Sequence, residues 1–310
     1  MIDLIVSYVY ERDKEWAQSF KYWKDKEIHN HQANKNNRQA FGEERTREWD
    51  IFKYWFRAVE KNCPWINRIF LLVQNKNHVP KWLDINNPKL RVVYHEEYIP
   101  KELLPTFNAM PIGFYISNIK DLSEKFIICD DDYYFLNPIA EDRFFKNDKP
   151  VHEDNKIKYE PYYTNYVNGV FFEILNTNLE FEKRFTKEKI KYGIYHLPEA
   201  RLKSVEQEII NKYKDEILDH FTMSKFRHPN NLCSYMFSDI LKLLNKAELG
   251  KPYENCSYVA LKSNINYNDY WNKDIVCFND TEILDDYDKT KKKLVEFLQK
   301  KFPDKSSFEV

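Results

Sequence analysis

Along the chain, short apolar runs alternate with stretches of helical period. Ile2 to Val9 is mostly apolar and predicts a strand, and Asp13 to Trp23 repeats Trp16, Phe20 and Trp23 at helix-like spacing. His29 to Arg38 is polar and without period, which predicts a loop. Thr46 can cap a helix running to about Lys61, with Trp49, Phe52, Phe56 and Val59 on one face and Pro64 closing it. Arg68 to Val73, Lys89 to Tyr94 and Lys125 to Cys129 predict buried strands, the last two separated by helical stretches around Phe107 to Ile119.

This order predicts an α/β fold with a mainly parallel, Rossmann-like sheet covered on both faces. Ligands of such sheets sit beyond the carboxyl ends of the strands. The second half is less regular. It shows a tyrosine-rich segment from Tyr159 to Phe172 and helices from about Ala200 to Lys214 and Asn230 to Leu244. Short strands follow near Tyr258 to Leu261 and Ile275 to Phe278, then a basic helix from Asp288 to Lys301. It reads as a mostly helical half that completes a cleft. No repeat or Pro/Ser-rich linker marks a boundary, which is set near residue 145, with 1–145 and 146–310 forming one catalytic unit.

Composition removes several function classes. The 48 Lys+Arg residues balance 49 Asp+Glu, a formal net charge of -1, so no global basic field points to nucleic acid and any phosphate site is local. The 5 glycines stand far apart, which excludes the Gly-rich dinucleotide fingerprint, the P-loop and the Gly-x-Ser-x-Gly elbow. The 5 cysteines include no Cys-x-x-Cys pair, so neither a disulfide framework nor structural zinc is indicated and a reducing compartment fits best. With Asp3 and no basic stretch, the N-terminus reads as a strand rather than a signal peptide. No apolar run approaches the ~18 residues of a membrane span, so a soluble or peripheral protein is expected.

Candidate chemistry starts at Asp130-Asp131-Asp132, directly after the apolar run Phe126 to Cys129. Three adjacent carboxylates at a strand end repel one another, and a divalent cation, Mg²⁺ or Mn²⁺, is one way to hold them. A solvated acidic turn is the other. Arg45, Arg47 and Arg57 flank or lie on one predicted helix, where a guanidinium could hold phosphate bidentately or simply pair with Glu48 or Glu60. None of the 8 histidines has metal-ligand spacing, so a zinc enzyme is not expected, and His196 and His228 stand out only by the prolines near them.

The stretch from Arg45 to Phe135 resembles the long second block of the Stealth proteins, sugar-phosphate transferases of capsule and exopolysaccharide synthesis related to the lysosomal GlcNAc-1-phosphotransferase catalytic subunit. Ile2 to Val9 with Asp13 and Trp16 resembles the first block. His196-Leu197-Pro198 through Phe226-Arg227-His228-Pro229 resembles the third, and Val276-Cys277-Phe278-Asn279-Asp280 with the terminal Ser306 to Glu309 the fourth. Departures fall at Tyr8-Val9-Tyr10-Glu11, Ile112-Gly113, Ser117 and Asp130, which touch acceptor and donor choice.

The resemblance implies a cytoplasmic, metal-dependent hexose-1-phosphate transferase, peripheral at the membrane at most. Its donor would be a nucleotide sugar, UDP-N-acetylhexosamine first, and its acceptor a glycan or lipid-linked glycan. Residues 1–145 would form the donor and metal side and 146–310 the acceptor side. His196, Asp132 and Arg227 are then the catalytic candidates, with His196 as general base. Asp3, Arg45, Arg57 and Asn279 would bind substrate, and Asp131 and Asp132 a divalent cation. An ordinary glycosyltransferase releasing UDP and a non-catalytic glycan-binding module, built on the 22 Tyr, 22 Phe and 7 Trp, are the alternatives.

Overall fold

The computed structural model describes residues 1–30, 37–153, 169–186 and 196–310. Strands β1 (Ile2–Ser7), β2 (Ile69–Val73), β3 (Leu90–Tyr94) and β4 (Lys125–Asp130) run parallel, with β1 between β2 and β4. β1 and β2 are buried almost throughout, as unbroken apolar runs in a two-faced parallel sheet require. Ahead of β8 lie β5 (Tyr133–Phe135), β6 (Phe145–Lys146) and β7 (Lys149–Glu153). β8 (Glu199–Leu202) adds antiparallel to β4, giving the order β3-β2-β1-β4-β8. The chain builds β1, β2 and β3 outward on one side and then crosses to β4 on the other. The crevice beyond the carboxyl ends of β1 and β4 is therefore the topological switch point.

Of the remaining strands, β9 (Glu248–Gly250) pairs with β7, while β10 (Cys256–Ala260) pairs with β11 (Ile275–Asn279) and β11 with β5. Helix α1 (Lys14–His29) is capped by Asp13, whose carboxylate accepts from the Glu15 N–H. After α2 (Arg38–Phe41) comes α3 (Phe52–Asn62), which buries Phe52, Phe56 and Val59 together. The others are α4 (Ala109–Phe114), α5 (Gly169–Glu182), α6 (Lys203–Lys212), α7 (Lys214–Thr222), α8 (Tyr235–Leu243) and α9 (Tyr287–Lys301).

Two expectations change. The helix expected from Thr46 begins only at Phe52. Before it, the Glu48 N–H is taken by Glu11, and the Glu48 carboxylate accepts from the N–H of Asp50, whose φ is 56°. The helix expected from Ala200 starts as β8, because the open edge of β4 pairs with Glu199 to Leu202. Arg201 can lie buried in that strand since Glu199 and Glu206 accept its guanidinium at 3.2 and 3.1 Å. Residues 31–36 of the expected loop and most of the tyrosine-rich segment lie outside the described residues.

His95 and His152 are buried, and burial pushes each down to about 3. The folded chain keeps both neutral where the unfolded chain takes up protons, so their contribution is fully present above about pH 6.5 and is lost as pH falls toward 3. The stability advantage of wild type over His152→Gln should thus shrink by about 1.4 kcal/mol per pH unit below that value. Denaturant titrations at pH 7, 5.5 and 4.5 check this, and a constant difference would contradict it.

Candidate active site

Ser7 at the end of β1 stands opposite Asp130 at the end of β4, so Tyr8 and Asp131 leave the sheet side by side. Asp131 and Asp132 form the turn into β5, which is fixed from the far side where the Phe278 N–H donates to the Asp132 carbonyl at 2.9 Å. The Asp132 carboxylate has one oxygen, Oδ2, 3.3 Å from Cys277 Sγ. Its Oδ1 is buried with no hydrogen-bond partner. Burial, then Asp130 and Glu48, push Asp131 up to about 7; burial, then Asp130 and Asp131, raise Asp132 as well. The turn disfavours its own ionisation unless a cation joins it.

His196 faces this turn. Its imidazole, Asp132 and Cys277 each offer an atom, all within 4.8 Å of one another. Nδ1 lies 3.3 Å from the Tyr235 hydroxyl, and the ring meets Tyr133 and Tyr258 edge-on at 5.2 and 5.9 Å. Burial lowers its pKa, Asp130 opposes that, and Arg45 and Arg227 reinforce it. The imidazole is therefore neutral near pH 7, the form a general base needs.

Arg227 lies on a braced loop. The Glu27 carboxylate of α1 accepts from Ser224 Oγ at 2.5 Å and Lys225 N at 2.6 Å. Asn108 Nδ2 donates to the Phe226 carbonyl at 3.0 Å and to Asn231 Oδ1 at 2.8 Å, and that same oxygen accepts from His228 N. Burial and then the like charge of Arg45 push Arg227 down to about 9. Arg45 ends a short 3-10 turn, Glu43–Arg45, and its charge acts on Asp131, His196 and Arg227 alike. Among the described residues neither arginine forms an ion pair. Two cations without a carboxylate partner among the described residues, Arg227 lying over the Phe171 ring at 5.6 Å, stand beside a turn of carboxylates and can receive an anion and a metal ion together.

Asn279 reaches this site through a partner: its amide donates to the exposed Tyr258 hydroxyl at 2.8 Å, and Tyr258 flanks His196. His196, Asp132, Asp131, Arg227 and Arg45 are thus brought together from distant segments, with Asn279 at the rim. Two candidates are not. Asp3 lies at the opposite end of β1, where its carboxylate accepts from Asn67 Nδ2 at 2.7 Å and Ser123 N at 2.8 Å. Arg57 is held by Glu309 through two 2.7 Å bonds and by the Phe302 carbonyl at 2.9 Å, clamping the C-terminal segment onto α3. Both are engaged by structural partners away from the carboxylate turn.

Arg57→Ala should strand a buried Glu309 carboxylate and cost about 3–5 kcal/mol in chemical denaturation. The specific activity of the folded fraction should stay unchanged; a selective loss of activity would return Arg57 to the site.

Sequence reasoning missed Tyr8, Glu48, Tyr235, Tyr258 and Cys277 as site residues. Tyr8 stacks on Phe52 at 4.5 Å and its hydroxyl donates to Glu48, the carboxylate that also acts on Asp131. Tyr258 carried one usable signal, a large aromatic at a position that strand alternation leaves facing outward.

The description "Stealth protein CR2, conserved region 2" matches residues 45–153. The capsular polysaccharide phosphotransferase WcwK of Streptococcus pneumoniae is 33% identical over 99% of this chain and 98% of its own length. The receptor polysaccharide phosphotransferase WefC of Streptococcus gordonii is 32% identical over 100% and 99%. The capsular polysaccharide phosphotransferase eps5J of Streptococcus thermophilus is 47% identical over a shorter stretch, 34% of this chain and 44% of its own.

Proposed function

The chain belongs to the Stealth family and is a phosphotransferase, and from that premise we propose that it moves a hexose 1-phosphate from a nucleotide diphosphate sugar to a glycan hydroxyl. The donor is UDP-N-acetylhexosamine and the acceptor a capsular or exopolysaccharide glycan, free or lipid-linked. The acceptor hydroxyl attacks the sugar-bearing phosphorus while its proton passes to His196. The bond from that phosphorus to the bridging oxygen breaks, UMP leaves, and a phosphodiester remains. The sugar C1–O bond is never cut, so the anomeric configuration persists.

Such chemistry rests on positioning and on neutralising the charge spread over the phosphoryl oxygens. Arg45 and Arg227 take the phosphoryl oxygens, and Asp130 stabilises the imidazolium as it forms. The exposed Tyr258 ring, held by Asn279, offers the acceptor sugar an apolar platform beside the base. The carboxylates of Asp131 and Asp132 fit a hard, oxygen-ligated Mg²⁺ or Mn²⁺, and the unpartnered Asp132 Oδ1 supports that fit. When bound, such an ion neutralises diphosphate charge. No helix among the described residues is long and apolar enough to cross a membrane, and a nucleotide-sugar donor places the reaction on the cytoplasmic side.

The observation that carries this reading is the gathering of His196, Arg227 and Arg45 around one carboxylate turn at the switch point. Its test is incubation of the full chain with UDP-sugars, glycan acceptor and Mn²⁺, followed by identification of the free nucleotide. UMP is expected. UDP would reassign the protein to glycosyl transfer, and glycan binding without metal-dependent nucleotide binding would make it a binding module.

A further inference from the structure

The hard cation of the proposed donor site has no use for a thiol, yet a cysteine lies against the catalytic turn. Cys277 is fully buried in β11, opposite Tyr133 of β5, with Sγ 3.3 Å from Asp132 Oδ2. His196 completes a group whose donor atoms lie within 4.8 Å of one another. In a tetrahedral zinc site with one sulfur, with Zn–S of about 2.3 Å and Zn–N and Zn–O of about 2.0 Å, neighbouring ligand atoms stand roughly 3.3–3.5 Å apart. The sulfur and carboxylate are already at that spacing, and the imidazole needs only a small side-chain adjustment. The carboxylate can serve both ions, since Oδ2 lies beside the thiol and Oδ1 is buried without any hydrogen-bond partner.

The geometry points to a second metal site, formed by Asp132, His196 and Cys277, that takes a borderline-soft divalent cation such as Zn²⁺ and shuts the enzyme off. Sulfur and imidazole select zinc over Mg²⁺ or Mn²⁺, so selectivity follows ligand type. On binding, the Cys277 thiol gives its proton to solvent and the thiolate, imidazole and carboxylate take three positions, leaving the fourth to water. The imidazole lone pair then lies on the metal and cannot accept the acceptor proton. This inhibitory consequence rests on the reading of His196 as base; the binding does not.

The test uses the full-length chain and Co²⁺ as a spectroscopic substitute for Zn²⁺. Wild type should give the intense visible absorption of tetrahedral Co²⁺ and a thiolate-to-cobalt charge-transfer band, both removed by added Zn²⁺. Cys277→Ser should lose the charge-transfer band and weaken Zn²⁺ binding by at least the roughly 10–100-fold that loss of even an outer-shell partner costs. Cys256→Ser, outside the group, should change neither. If Cys277→Ser lowers the melting temperature, His196→Gln, at a partly exposed position, carries the same expected drop in Zn²⁺ affinity.

In the nucleotide-release assay with saturating Mn²⁺, micromolar Zn²⁺ should inhibit wild type, and a chelator selective for zinc should restore it. A weak octahedral Co²⁺ spectrum, or equal Zn²⁺ affinity in wild type and Cys277→Ser, overturns the site. A Cys277-dependent cobalt band in a chain that turns over no UDP-sugar upholds the metal site and counts against the transfer reading instead. Normal turnover in zinc-loaded wild type upholds binding and overturns inhibition.

Discussion

His196→Ala is expected to lower turnover by about 10³-fold, within the range general-base removal produces, and to leave UDP-sugar affinity within about twofold. The split follows from position. His196 packs between Tyr133 and Tyr258, the exposed ring proposed to seat the acceptor sugar. Its work falls on the acceptor proton, an interaction made in the transition state, so it enters kcat far more than donor binding. Burial and the two arginines lower its pKa against Asp130. The acid limb of the wild-type rate profile should therefore fall below pH 6.5, and Asp130→Asn should move it lower still. Calorimetric titration of donor into the variant, beside single-turnover rates, separates the cases. Wild-type turnover in His196→Ala would end the base assignment, and loss of donor affinity in step with rate would make His196 a donor ligand.

What the sequence disclosed followed the reach of its local rules. β1 to β4 appear within a residue or two of where apolar runs placed them, and β1 and β2 are buried on both faces as such runs require, whereas β3, expected to be buried, is a half-exposed edge strand. Asp130 to Asp132 was visible for the same reason, being three charges set against a buried strand. Arg57 misled because an arginine on an aromatic helix face has the same local signature whether it meets phosphate or a carboxylate. Only the fold shows that Glu309, 252 residues away, claims it. Asp3 came from the resemblance alone, although it stands at the amino end of β1, opposite the end at which such sheets hold ligands. Cys277 was invisible as a site residue because its role arises from the pairing of β11 with β5, a contact across more than 130 residues, while Tyr258 showed only an outward aromatic. β8 was hidden by helix-forming residues that an open sheet edge overrides.

The arginine and aspartate variants should lose activity while gaining or keeping stability, a pairing of signs that a structural role would not give. In the donor-free protein Arg227 is disfavoured as a cation by burial and by Arg45, with only partial relief from Asp130. Arg227→Met should therefore melt no lower than wild type, while transfer falls by about 10³-fold, the lower end of what a phosphate-facing arginine contributes to phosphoryl transfer. Arg227→Lys keeps the charge but not the planar fork, and should still lose about 10²-fold. Asp132→Asn follows the same logic with opposite charge. Its folded pKa is raised, so the ionised form costs stability at neutral pH and the cost vanishes as pH falls below the ordinary carboxylate range. The amide should thus hold or raise the melting temperature near pH 7 and remove the stabilisation that wild type gains from added Mn²⁺ and UDP-sugar. Melting curves with and without these ligands, read beside nucleotide release, decide the matter. A melting temperature several degrees lower in both Arg227→Met and Asp132→Asn would show the cluster supporting the fold, and donor-induced stabilisation surviving in both would place the phosphates elsewhere.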